Sequence, residues 1–238
     1  PVIEQSLVGF PLLLVAKASF GGSALDFLYF EAAALAELGF IVVQMDGRGT
    51  QGRSKAFGDH SYGWANAISD IDDHVAGLTQ LGERFNYMDM SRVGITGITL
   101  GGNGAIEGLL KHPDVYKVGV CGQLHDPRFM VANWGDYFEG AEPNPDGQYA
   151  EALAHKLKGK LLLMEGLRNF LPPASTLKLV EALQRANKNY DLIIEPNGGY
   201  TSTTYQTRRA WDYLVEHLQG EQAPEEFDLG VGSRLATV

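Results

Sequence analysis

Residues 97–101, Gly97-Ile98-Thr99-Leu100-Gly101, have the spacing of a nucleophile elbow, a sharp strand-to-helix turn that presents a hydroxyl. The chemistry such a turn serves is acyl transfer. An alcohol yields its proton to a base and attacks a carbonyl, and backbone N–H groups stabilise the oxyanion that forms. Here the central residue is threonine, an alcohol whose β-branched side chain is stiff about χ1. The flanking Gly97, Gly101 and Gly102 still leave room for the turn and for a helix packed close behind it.

Other residues with chemical potential stand just after apolar runs. His125 and Asp126 follow one of them, and the bland reading of His125 is a ring that hydrogen-bonds a loop backbone. Glu165 ends another, where a buried carboxylate needs a partner or a raised pKa; Arg168 is the expected partner, in an ion pair. Cys121 closes the run Val118-Gly119-Val120-Cys121 and reads as a buried structural thiol. His60, His112, His155 and His217 lack metal-ligand spacing, so no metal site is expected. Asp70, Asp72 and Asp73 suit a solvated or Arg-paired helix face. The segment "DGRGTQGR" (46–53) has neither the G-x-G-x-x-G spacing nor a P-loop lysine, which argues against nucleotide binding. Arg48 is expected to pair with Asp46 or to pin this loop, and no cofactor is called for.

The elements that must position these groups follow from the apolar pattern. Strands are predicted over 11–16, 40–45, 92–97, 116–121, 160–164 and 191–195, most of them apolar throughout, as parallel strands covered on both faces are. Helical periodicity fills 27–38, 65–85, 104–111, 176–186 and 207–218. This alternation predicts an α/β fold, with right-handed crossovers, a doubly wound, mostly parallel sheet and helices on both faces. Ligands of such sheets bind beyond the carboxyl ends of the strands. The stretch 126–148, with Trp134, Tyr137 and Phe138, reads as an irregular insertion beside the sheet. Residues 221–238 read as a C-terminal arm on a single domain spanning 1–238.

Composition excludes some classes of function. With 238 residues, 45% hydrophobic and 20% charged, the chain is neither disordered nor too small for a large core. A net charge of −10 argues against a nucleic-acid surface. The longest apolar run, Phe10 to Ala18, is interrupted by Lys17 and too short to span a bilayer. The start, Pro1-Val2-Ile3-Glu4, reads as a processed or trimmed end and assigns no compartment.

Several longer motifs carry a resemblance: "VVQMDGRGTQGRSKAFGD" (42–59), "MDMSRVGITGITLGG" (88–102), "HPDVYKVGV" (112–120), "LKGKLLLMEG" (157–166), "TLKLVEALQRANKNYDLIIEPN" (176–197) and "TRRAWDYLVEHL" (207–218). In this order the chain resembles the catalytic domain of the prolyl oligopeptidase family of serine peptidases, in its bacterial dipeptidyl-peptidase-like branch, from about residue 10 to about 220. The resemblance implies an α/β-hydrolase domain. In relatives such a domain follows a β-propeller, which is not expected within these residues.

It also implies a Ser, Asp, His triad and a tyrosine that donates to the oxyanion, and this sequence departs from each. The nucleophile position is Thr99. The acid position, in the stretch Glu165–Pro172, is Asn169 counted from the left and Arg168 counted from Ala174-Ser175-Thr176. The base position, closing Pro196-Asn197-Gly198-Gly199-Tyr200, is Tyr200. The oxyanion tyrosine is replaced by Lys17 or by Phe20, depending on the alignment. The N–H of Leu100 is the one element that substitution cannot remove.

A phenol of pKa near 10 stays protonated at neutral pH and cannot replace an imidazole. Asparagine can orient a histidine, but there is none here to orient, and Arg168 would repel an imidazolium. Loss of triad members leaves only about 10³–10⁴-fold catalysis over water in a serine protease. The expectation is therefore a pseudoenzyme that binds a peptide or small molecule, in a pocket drawn from Lys17, Phe20, Leu100, His125, Asp126, Trp134, Glu165, Arg168, Asn169 and Tyr200, or that serves as the inactive partner of a homologous active subunit. A homo- or hetero-oligomer is expected, since relatives often dimerise through this domain. Two rivals are an altered lyase, isomerase or cyclase chemistry using His125, Glu165 or Tyr200, and, with least support, hydrolysis by Thr99 without an identifiable base.

Overall fold

A computed structural model of the chain describes residues 10–15, 29–50, 52–61, 71–124, 149–170, 172–225 and 229. Its strands are β1 (Phe10–Val15), β2 (Ile41–Val43), β3 (Met88–Ile98), β4 (Tyr116–Gly122), β5 (Lys160–Gly166) and β6 (Asp191–Glu195). Among the described residues they form one six-stranded sheet in the order β2-β1-β3-β4-β5-β6, and every neighbouring pair is parallel. The helices are α1 (Tyr29–Glu37), α2 (Lys55–Gly58), α3 (Ile71–Arg84), α4 (Leu100–Lys111), α5 (Ala150–Leu153), α6 (Ala174–Arg185) and α7 (Thr204–Leu214).

Two apolar layers explain why the strands read as unbroken apolar runs. On one face Cys121, Leu161 and Leu163 pack with residues of α3, α4 and α6, among them Leu78, Leu109 and Leu179. On the other, Val118, Val120, Leu162 and Met164 pack against Leu35 of α1 and Tyr213 and Leu214 of α7. Successive residues of one strand thus serve opposite layers, so none can be polar without cost. This is the α/β-hydrolase arrangement expected from the sequence.

The differences lie at element ends and have physical causes. Strand β3 begins at Met88 rather than 92, because its early residues pair with β1 across a register shift between Pro11 and Leu12. Helix α4 begins at Leu100 rather than 104; packing against β4 overrides the poor helix propensity of Gly101 and Gly102. The short helices α2 and α5 carry too little periodicity to be seen in sequence. The expected insertion at 126–148 lies outside the described residues, and so does most of the arm beyond 220. No helix among the described residues is long and apolar enough to cross a membrane.

Candidate functional site

The chain leaves β1 for β2 on one side and returns to place β3 on the other, so the carboxyl ends of β1 and β3 mark the topological switch point, where such sheets bind ligands. Thr99 stands there, between the last residue of β3 and the first of α4, with φ 56° and ψ −120°. This is a sparsely populated conformation for a β-branched residue, and the backbone holds it from both sides. The Thr99 N–H donates to the Gly122 carbonyl at 2.8 Å, and the Thr99 carbonyl accepts from the Asn103 N–H at 2.9 Å. Its hydroxyl makes no capping bond to the helix it precedes. Leu100 opens α4, so its N–H is one of the first-turn donors that lack an intrahelical acceptor. Behind the turn, a Cβ on Gly102 would sit 2.5 Å from the Gly122 carbonyl oxygen, which is why α4 can lie so close to β4.

The loop after β5 holds Glu165, Arg168 and Asn169. Glu165 is 2% exposed; its Oε2 accepts from the Thr176 hydroxyl at 2.6 Å and its Oε1 from the Gly166 N–H at 3.2 Å. Burial pushes its pKa up, opposed by these two hydrogen bonds. The expected Glu165–Arg168 ion pair does not form. Arg168 is exposed on the turn, its backbone N–H donating to Gly198 O at 2.9 Å, while the carboxylate faces the first turns of α6 and finds Thr176 instead. Of the two residues open for the acid position, Asn169 is half-buried and directed inward, its Nδ2 donating to Gln123 Oε1 at 2.7 Å.

Gln123 is the site residue that sequence reasoning missed. It directly follows β4, is 1% exposed and has φ 52°. Its N–H donates to Met164 O at 2.9 Å and its Nε2 to Gly199 O at 3.1 Å, while its Oε1 accepts from the Gly166 N–H at 3.4 Å as well as from Asn169. Its only sequence signal is a polar residue directly after an apolar strand.

The loop after β6 carries Tyr200. Its ring lies against Phe170, with centroids 5.0 Å apart and planes inclined by 31°, and both rings are substantially exposed, at 42% and 75%. A Cβ on Gly166 would lie 2.6 Å from Gly199 O, so the loops after β5 and β6 meet backbone to backbone. Thr203 closes the second loop: its hydroxyl donates to Glu195 Oε2 at 2.5 Å, and with Gln206 it forms a capping box on α7.

Lys17, Phe20, His125, Asp126 and Trp134 lie outside the described residues. Elsewhere, Cys121 is buried, as expected, and burial pushes its thiol pKa up. His112 pairs with Asp72 at 2.7 Å beyond the C-terminal end of α4, the end remote from Thr99. Asp73 is Arg-paired, with Arg48 at 2.9 Å, and Asp46 accepts from Arg53 at 2.9 Å. Among the described residues no group of three His, Cys, Asp or Glu side chains is placed to hold a metal ion.

The sequence profile of the prolyl oligopeptidase family matches residues 26–221. Dipeptidyl peptidase 8 of Homo sapiens is 29% identical over 226 residues, which cover 88% of this chain and 23% of that protein. This chain therefore spans under a quarter of the length of the curated relatives it matches. Among solved structures, dipeptidyl peptidase 4 of Porphyromonas gingivalis superposes with a TM-score of 0.79 at 24% identity, covering 89% of this chain and 32% of that one. Acylaminoacyl peptidase of Pyrococcus horikoshii gives a TM-score of 0.75 at 21% identity, covering 96% and 40%. At these identities the structural likeness speaks for the fold.

Proposed function

Since this chain belongs to the prolyl oligopeptidase family, we propose that it is a hydrolase-fold domain of that family that binds a peptide or small molecule and no longer hydrolyses it. One observation carries this reading. Thr99 occupies the elbow, and the side chains after β5 and β6 that would complete a triad are an amide tied to Gln123 and a phenol stacked on Phe170. Neither group does the work of a carboxylate and an imidazole. Asn169 cannot stabilise an imidazolium by charge, and the Tyr200 phenol has no ring nitrogen to take a proton from an alcohol. What persists is the binding half of the machine: a switch point at the carboxyl ends of β1 and β3, a first-turn N–H at Leu100, and an exposed aromatic pair that offers a wall for an apolar side chain.

The test is labelling with a fluorophosphonate probe alongside hydrolysis of chromogenic dipeptidyl and acylaminoacyl substrates. No labelling and no turnover above buffer are expected. Labelling at Thr99, or hydrolysis abolished by Thr99→Ala, would overturn the reading. Titration with short peptides is expected to show saturable binding that Phe170→Ala weakens.

A further inference from the structure

We infer that Gln123 is a positioning residue whose amide bolts the loop after β5 to the loop after β6 and admits only a hydrogen-bond donor, not a carboxylate, at position 169. The inference rests on hydrogen-bond polarity alone and stands whatever the domain binds.

Two backbone groups fix which way the Gln123 amide points, and a backbone group cannot exchange donor for acceptor. Gly199 offers a carbonyl oxygen 3.1 Å from Nε2, so that end must be the NH₂. Gly166 offers an N–H 3.4 Å from Oε1, shared with Glu165 Oε1 at 3.2 Å; an N–H cannot accept from an NH₂, so the carbonyl end suits it. With the amide so held, Oε1 faces Asn169 at 2.7 Å and requires a donor there. The Asn169 NH₂ meets that requirement.

An ionised aspartate at 169 would set a negative oxygen against the Gln123 carbonyl, on a side chain that is 1% exposed. Turning the Gln123 amide over would relieve that contact only by creating two others, NH₂ against the Gly166 N–H and carbonyl against the Gly199 carbonyl. Neither orientation satisfies all three neighbours. A protonated aspartic acid has no such conflict, since its O–H can donate to Oε1. The acid position is thus matched to an amide by a residue on a different strand, and a lone return of the carboxylate is resisted by the fold itself. The same amide couples two loops that the sequence separates, since it spans 46 positions to Asn169 and 76 to Gly199.

The experiment compares Asn169→Asp with Asn169→Ala by urea denaturation at pH 8 and pH 4, each in the native background and with Gln123→Met. In the native background, Asn169→Asp is expected to lower the folding equilibrium constant about tenfold below Asn169→Ala at pH 8, and to regain most of that loss at pH 4. With Gln123→Met, which removes both polar ends of the amide, this extra pH-dependent loss is expected to vanish. A simple loss of packing would not follow pH. Asn169→Asp as stable as Asn169→Ala at pH 8, or a pH dependence that persists in Gln123→Met, would overturn the inference. Should Gln123→Met fail to fold, the comparison of Asp with Ala at the two pH values decides by itself.

Discussion

The backbone N–H of Thr99 donates to the carbonyl oxygen of Gly122 at 2.8 Å, which stitches the end of β3 to the end of β4 at the turn into α4. The bond is made from a backbone conformation, φ 56° and ψ −120°, that few residues other than glycine adopt without strain. A threonine there stores strain on the order of 1–3 kcal/mol. Replacement by glycine relieves it but frees the unfolded chain, at about 0.5–1 kcal/mol. Thr99→Gly is accordingly expected to raise stability by about 1 kcal/mol, read as a higher urea midpoint at unchanged slope. Thr99→Ser keeps the hydroxyl and brings no base, so it is expected to remain unlabelled by a fluorophosphonate.

Gly102 and Gly199 make a contrasting pair. A Cβ at Gly102 would stand 2.5 Å from the Gly122 carbonyl oxygen, a backbone atom that cannot swing away, whereas a Cβ at Gly199 meets nothing within 4 Å. Gly102→Ala is expected to cost about 2 kcal/mol or more by forcing α4 off β4. Gly199→Ala is expected to change stability by no more than about 0.5 kcal/mol. Thermal or urea unfolding of the two variants side by side checks both figures. Equal losses would show that the close approach of α4 to β4 does not govern this end of the sheet.

Glu107 lies within α4, 6% exposed, with Lys111 Nζ at 2.8 Å. Burial raises its pKa from about 4.5 to about 7, opposed by Lys111 and assisted by Asp72. The native state therefore holds this proton more tightly than the unfolded chain does. Stability is expected to fall as pH rises from about 4.5 through about 7, and to level off above. The total loss is at most on the order of 3 kcal/mol. Glu107→Gln keeps an acceptor for Lys111 and removes the proton, so its unfolding free energy should be flatter over that window. An identical slope in the variant and the native chain would assign the pH dependence to another group.

The expected ion pair between Glu165 and Arg168 shows where local reasoning fails. Arg168 is the nearest cation along the chain, but the turn at 167–168 carries it outward while Glu165 remains on the buried side of β5. Its partner is Thr176, eleven residues on, because α6 packs over the strand end. Gln123 was invisible for a related reason: a single glutamine after a strand has no pattern, and its meaning comes from loops 43 to 76 positions away.

By itself, the sequence determined the strand and helix alternation, the doubly wound parallel α/β sheet, the glycine-flanked elbow at Thr99 and the burial of Cys121. Each of these is written in the periodicity or spacing of adjacent residues, and burial on both faces of a parallel strand leaves no other composition open. Only the tertiary structure decided that Asn169 turns inward where Arg168 does not, that Glu165 bonds Thr176, and that Gln123 joins two loops. Hydrogen bonds are short-ranged and directional, so which polar groups meet depends on where the packed sheet brings distant chain segments, and no local pattern records that.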